Sequence, residues 1–250
     1  MNHTPESVAA PPTELLRGAS LFLDFDGTLV DITATPDAVV VTEQLRRLLA
    51  TLLERLGQRV AIITGRSASS VEELFKPVPI IVGGSHGLEI PGERGHDRIE
   101  RPAVLDEIVS ELREVERTYP GVLLEMKPLG VALHYRQAPD AERACRTAAH
   151  DAAARTGLEV QAGKMVFELK PRGGDKGAAV RTLMSRPPFK DSQPVFVGDD
   201  LTDEPGFAAA RKLGGSGVLI GDPRPTAAYY RLPSVADALD WLDRAGEAAV

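Results

Sequence analysis

The chain has 250 residues, 43% apolar and 26% charged, which is ample for a packed globular core that needs no covalent staples. A net charge of −7 gives no basic footprint, so no nucleic-acid partner is expected, and an anionic substrate must be drawn by local cations or a metal. A single cysteine, Cys145, excludes an intramolecular disulfide or a multi-cysteine metal site and reads as small apolar filler.

No apolar run approaches the roughly 20 residues needed to span a bilayer, so no membrane partner is expected. Residues 1–12, rich in Ala and Pro, lack the charged and apolar regions of a secretory signal. They read as a disordered lead-in to a cytoplasmic, monomeric protein.

From residue 13 the pattern alternates strand and helix. Residues 21–24 form an apolar strand. Residues 42–56 carry Leu45, Leu48, Leu49, Leu52, Leu53 and Leu56 at helical spacing, with Gly57 as the stop. Strands at 59–64 and 80–82 flank a short helix at 67–75. Continuous apolar strands between amphipathic helices predict a parallel sheet covered on both faces. The middle differs: a helix at 102–119, a hairpin of 122–127 and 131–136, an Ala-rich helix at 140–156, and a hairpin of 158–161 and 165–170 turning through Ala162-Gly163-Lys164. That order predicts a small antiparallel sheet with helices on one face. Helix and strand then alternate again: helix 175–186, strand 195–198, helix 204–213, strand 218–221 and a terminal helix 235–244. The fold class is therefore α/β, a doubly wound core of residues 13–100 and 172–250 interrupted by an α+β module at 101–171.

Asp24-Phe25-Asp26-Gly27-Thr28 follows the first apolar strand, at the strand end where open α/β sheets bind ligands. Asp24 is placed to attack phosphorus. Asp26, with its pKa raised by a neighbouring carboxylate, is placed to give and take the proton. Gly198-Asp199-Asp200-Leu201-Thr202-Asp203 follows another apolar strand. Clustered carboxylates of this kind repel unless a hard cation sits among them, and oxygen ligands suit Mg²⁺. Asp24 and Asp199 are its natural side-chain ligands, with Asp26 counted in the same site and Asp200 and Asp203 behind it. Thr64, after the second strand, offers a hydroxyl to a phosphate oxygen. Lys176 opens a helix, where the helix dipole disfavours a cation, so a local anion is expected beside it.

Taken in chain order, Asp24–Thr28, Thr64, Lys176 and Gly198-Asp199-Asp200 with Asp203, these four motifs resemble the haloacid dehalogenase (HAD) superfamily of phosphotransferases over the whole chain. The resemblance implies a Mg²⁺-dependent phosphomonoesterase, with Asp24, Asp26, Thr64 and Lys176 catalytic and the 101–171 insertion acting as a cap. A narrower resemblance, to the trehalose-6-phosphate phosphatases, rests on several segments: Thr64-Gly65-Arg66, Gly84-Ser85-His86-Gly87, Glu125-Met126-Lys127, His134-Tyr135-Arg136, Phe167-Glu168-Leu169-Lys170-Pro171 and Gly198-Asp199-Asp200-Leu201-Thr202-Asp203-Glu204. It implies that Glu125, Lys127 and Glu168 bind sugar hydroxyls. Arg66, His86 and Lys170 join them as contacts to phosphate, sugar or cap, while His134 and Arg136 serve as cap stabilisers. Glu125 and Lys127, two residues apart, share one strand face. The chain departs from the family at Pro205-Gly206, where another acidic and an apolar residue are usual, and at Ser85, where Asn is commoner. The residues leave open a phosphatase for another sugar phosphate (of sucrose or a glycoside), a sugar phosphomutase, and a non-catalytic sensor.

Overall fold

The computed structural model describes residues 8–92, 95–96 and 100–249. In chain order the elements are β1 (Ala19–Leu23), α1 (Glu43–Arg55), β2 (Val60–Ile63), α2 (Ala68–Phe75), β3 (Ile81–Gly83), a short pair β4 (Pro91–Gly92) and β5 (Gly95–His96), α3 (Val104–Thr118), β6 (Leu123–Met126), β7 (Val131–His134), α4 (Glu142–Thr156), β8 (Glu159–Gly163), β9 (Val166–Lys170), α5 (Lys176–Met184), β10 (Gln193–Gly198), α6 (Glu204–Lys212), β11 (Ser216–Ile220), β12 (Tyr230–Leu232) and α7 (Val235–Ala248). They fall into two compact units, one made of the chain up to His96 together with Asp175–Val250, the other Asp97–Gly174.

The larger unit is built on a six-stranded sheet in the order β12-β11-β10-β1-β2-β3, every pairing parallel. Each residue of β1 is buried, because the sheet is covered on both faces: Leu21 and Leu23 pack towards α1, α2 and α7, and Phe22 towards α5 and α6. Thr42 caps α1 by accepting from Leu45 N at 3.2 Å. The helix buries Leu45, Leu49, Leu52 and Leu53, each contributing on the order of 1.5–3 kcal/mol. The order places β10 and β2 on either side of β1, so the chain reverses direction across the sheet at β1, where α/β folds open a crevice beyond the strand ends.

Three features of this unit lie beyond the sequence expectations. β12 is a three-residue edge strand with no run long enough to stand out. The β4–β5 pair is shorter still. The terminal helix continues to Ala248, past the expected 244, because Ala245 and Gly246 are buried, with Gly246 lying on the Leu52 side chain. Pro205 sits in the first turn of α6, where its missing N–H costs nothing, so the departure from the family pattern leaves the helix whole. Residues 1–7 of the expected lead-in lie outside the described residues. Residues 8–12 are tied down, the Ala9 carbonyl accepting from Arg231 N at 3.0 Å and the Pro12 carbonyl from Trp241 Nε1 at 3.3 Å.

The smaller unit is a four-stranded antiparallel sheet in the order β6-β7-β9-β8. One face, bearing Leu124, Val131, Leu133, Phe167 and Leu169, packs on α3 and α4 around Leu105, Leu112, Cys145 and Ala149. The second hairpin turns at Lys164-Met165, one residue later than the sequence suggests, with Met165 at φ 61°. That shift sets Glu159 opposite Lys170 and Gln161 opposite Glu168. The face away from the helices therefore carries a row Glu125, Ala132, Glu168, Gln161 across all four strands. No helix among the described residues is long and apolar enough to cross a membrane.

Candidate active site

Asp24 follows the last residue of β1, and Asp199 the last residue of β10, the neighbouring strand. Register makes them adjacent: Asp24 N donates to Val197 O at 2.9 Å, so both carboxylates emerge from one end of the sheet. Gly27, at φ 83°, takes the turn after Asp26, and a Cβ there would lie 2.3 Å from Asp199 Oδ2. Only glycine lets the two acidic loops approach this closely. Gly198 does the same for Asp203, whose Cγ would stand 2.3 Å from a Cβ.

Lys176, first residue of α5 and 2% exposed, joins these loops. Its Nζ donates to Asp24 Oδ1 at 2.7 Å and Asp203 Oδ1 at 2.6 Å. The anions expected beside this helix start are thus two of the protein's own carboxylates. The second oxygen of Asp203 accepts from Asp199 N and Asp200 N, each at 2.9 Å, so a fully buried side chain orients the whole acidic loop. Asp200 itself caps the turn, its carboxylate accepting from Leu201 N.

Burial, Asp203 and Asp199 push the Asp24 carboxyl well above its ordinary value, and Lys176 only partly opposes them. For Lys176 the order reverses: burial alone would lower it, but Asp203 and Asp24 raise it far above the usual lysine value. Two carboxylates on one ammonium, with half-buried Asp199 beside them, leave an excess of negative charge. Asp24, Asp199 and Asp203 each present an oxygen, all within 4.8 Å of one another, a hard-oxygen set that fits a divalent cation.

Asp26 differs from its expected place. Its carboxylate lies outside that cluster and is gripped by Arg66, Nε to Oδ2 at 2.7 Å and Nη2 to Oδ1 at 2.8 Å. The neighbour of Asp26 is therefore a guanidinium, not the carboxylate that the sequence spacing suggests. Arg66 is held in turn by Pro36 O at 2.9 Å and lies over the Phe25 ring. Nothing in the 40-residue gap between the two positions signals this pair. Thr64, 1% exposed, accepts from Arg66 N through its hydroxyl at 3.1 Å. Its carbonyl receives His86 N at 2.8 Å. The His86 ring is buried against Gly65.

On the polar face of the smaller sheet several charges meet in pairs. Lys127 donates to Glu168, and Lys170 to Glu159 and, at 2.6 Å, to Gly174 O. The ammonium of Lys170 is thereby bonded within its own unit. Glu125 meets His134, Oε2 to Nε2 at 2.7 Å. Burial raises Glu125, but the His134 hydrogen bond and the Lys127 charge outweigh it and hold the carboxyl below its usual value. The sequence places His134 only among stabilisers; the signal that ties it to Glu125 is the hairpin register, which sets Leu123 opposite His134 and so both side chains on one face. Glu204, which closes the last quoted motif without a role of its own there, accepts from Arg224, Thr226 Oγ1 and Ala227 N, while Arg224 also donates to Asp200 O at 2.8 Å.

The fold is that of the HAD phosphatases. It superposes on a phosphatase of the haloalkanoate (HAD) superfamily from Bacteroides thetaiotaomicron with a TM-score of 0.60 at 18% identity, covering 94% of this chain and 97% of the other, a likeness of fold alone. The crystal structure of a trehalose-6-phosphate phosphatase related protein is nearer, with a TM-score of 0.74, 27% identity and coverage of 89% and 94%. The chain is 40% identical over 233 residues to the trehalose-6-phosphate phosphatase of Escherichia coli (strain K12), spanning 92% of this chain and 87% of that one. Residues 22–235 match the trehalose-phosphatase family, and the chain belongs to it.

Proposed function

We propose that the protein hydrolyses trehalose 6-phosphate to trehalose and phosphate, with the larger unit as the catalytic core and the smaller one as a cap that recognises the sugar. The observation that carries this reading is the buried Asp24–Lys176–Asp203 chain beside Asp199, in a member of the trehalose-phosphatase family. Asp24 Oδ attacks phosphorus and forms an aspartyl-phosphate as the sugar oxygen departs. Asp26 supplies the proton to that oxygen, then takes one from the water that cleaves the acyl phosphate. Asp26 reaches the leaving oxygen once Arg66 lets go, and a phosphate dianion offers the guanidinium another two-pronged partner. Lys176 neutralises phosphoryl charge and keeps Asp24 aimed, and the Thr64 hydroxyl is available to an equatorial oxygen.

Mg²⁺ would be held by Asp24 and Asp199, with Asp203 orienting them, and when bound it neutralises the clustered carboxylates and polarises the phosphoryl group. The carboxylate of Asp26, taken by Arg66, has no part in that set. On the cap, Glu125, Lys127 and Glu168 combine acceptors with a cation on one strand face. A site of this kind suits an uncharged polyhydroxylated leaving group and rejects analogues without the hydroxyls.

Phosphate release from trehalose 6-phosphate, glucose 6-phosphate and sucrose 6-phosphate, with Mg²⁺ and with EDTA, tests the reading. Metal-dependent release with a strong preference for trehalose 6-phosphate is expected. Release from another sugar phosphate would keep the mechanism and overturn the sugar assignment. An isomeric sugar phosphate without free phosphate would point to a mutase.

A further inference from the structure

On the polar face of the smaller sheet the cations have divided tasks. Lys127 donates to Glu168 and Lys170 to Glu159, and the hydrogen bond that Glu125 accepts comes from His134. A glutamate left alone there would spread over many rotamers, and ordering it on ligand binding would cost affinity. His134, at the end of β7, sits diagonally across the strand pair from Glu125, within reach of a long side chain. Its Nε2 lies 2.7 Å from Glu125 Oε2. Since a carboxylate oxygen only accepts, Nε2 must carry the proton in this contact. The other oxygen, Oε1, accepts no hydrogen bond among the described residues. Both side chains remain partly exposed, 19% for His134 and 27% for Glu125, so the pair is open to a ligand.

We propose that His134 is a positioning residue for sugar recognition: by holding Oε2 it presents Glu125 Oε1 as a fixed acceptor for one substrate hydroxyl. The proposal rests on the sugar-phosphatase reading above and deepens it. The depressed pKa of Glu125 agrees, since His134 and Lys127 keep it ionised in spite of burial. An anionic acceptor with one oxygen already satisfied recognises a hydroxyl more strictly than one free to rotate, because its geometry is set before the sugar arrives.

The test is steady-state kinetics of His134→Ala, His134→Gln, Glu125→Gln and the double variant His134→Ala/Glu125→Gln, with trehalose 6-phosphate and with p-nitrophenyl phosphate, whose leaving group has no hydroxyls. His134→Ala is expected to lose about tenfold in kcat/KM on trehalose 6-phosphate, chiefly through KM, matching the worth of one charged hydrogen bond. The loss on p-nitrophenyl phosphate is expected to be at least about fivefold smaller. His134→Gln, which keeps an N–H donor, should recover most of the loss, and the double variant should be no worse than Glu125→Gln alone. Equal losses on both substrates, additive effects in the double variant, or no recovery with Gln would each overturn the proposal and leave His134 a strand staple. Should His134→Ala melt at assay temperature, the His134→Gln and Glu125→Gln pair decides by the same criteria. If the wild-type protein releases no phosphate from trehalose 6-phosphate but does from p-nitrophenyl phosphate, the substrate reading fails first, a result distinct from wild-type activity with silent His134 variants.

Discussion

Both units gather carboxylates and amines in half-dry surroundings, but they balance them in opposite ways. At the strand ends of the larger sheet, Asp24 and Asp203 share Lys176 with Asp199 close by, and Asp24 is forced well above its ordinary pKa. On the smaller sheet each carboxylate has its own partner, and Glu125 is held below its ordinary value. The first arrangement is short of positive charge and has the hard-oxygen donors that a divalent cation takes. The second pairs each of these carboxylates with a donor of its own, so what it offers a ligand is direction: acceptors and donors at fixed places. The same residue types thus make an under-neutralised cluster in one unit and a set of paired charges in the other, depending on whether loops or strands carry them.

The comparison can be broken most sharply at Asp24. Asp24→Asn should abolish turnover, by on the order of a thousandfold or more, while melting at a temperature equal to or above wild type in EDTA, because one of three repelling charges is gone. A clear fall in melting temperature would mean that the cluster is not short of positive charge. Next in size is Lys176→Met, which leaves Asp24 and Asp203 buried without their cation. It is expected to cost about 3–5 kcal/mol in urea unfolding, whereas Lys127→Met, at the more exposed pair, should cost less. Equal costs would erase the distinction between the two clusters.

The smallest effect sharpens the other side. Glu125 has a native pKa below its unfolded value, so its contribution to stability is fully present above the ordinary carboxyl range and is lost as pH falls through the depressed native value. The melting-temperature difference between wild type and Glu125→Gln should therefore hold from neutral pH to about pH 5 and shrink below about pH 4. A difference that persisted unchanged well below about pH 4 would show that the carboxylate is not held by His134 and Lys127.

The path of the chain was legible because each of its causes is local. Apolar runs at 21–23, 60–63 and 195–197 cannot be exposed, and Thr42, Asp175 and Ser234 cap the helices that follow them. Asp24, Asp199, Asp203 and Lys176 could be placed together because each directly follows or begins an element whose end faces one edge of the sheet. The sequence was less informative wherever a contact joins distant positions through side chains. Arg66 on Asp26 and His134 on Glu125 follow from strand order and hairpin register, which single residues do not encode. The hairpin turn at Lys164-Met165 and the extension of α7 to Ala248 were likewise set by pairing and packing across the unit.

By itself, then, the sequence determined the alternation of buried strands and helices, the four strand-end motifs and the inserted module, because burial and backbone conformation are decided within a few residues. Only the tertiary structure decided which charges meet. Ion pairs are formed by whichever groups the sheet brings within about 3 Å, and a shift of one residue in register turns a side chain to the opposite face.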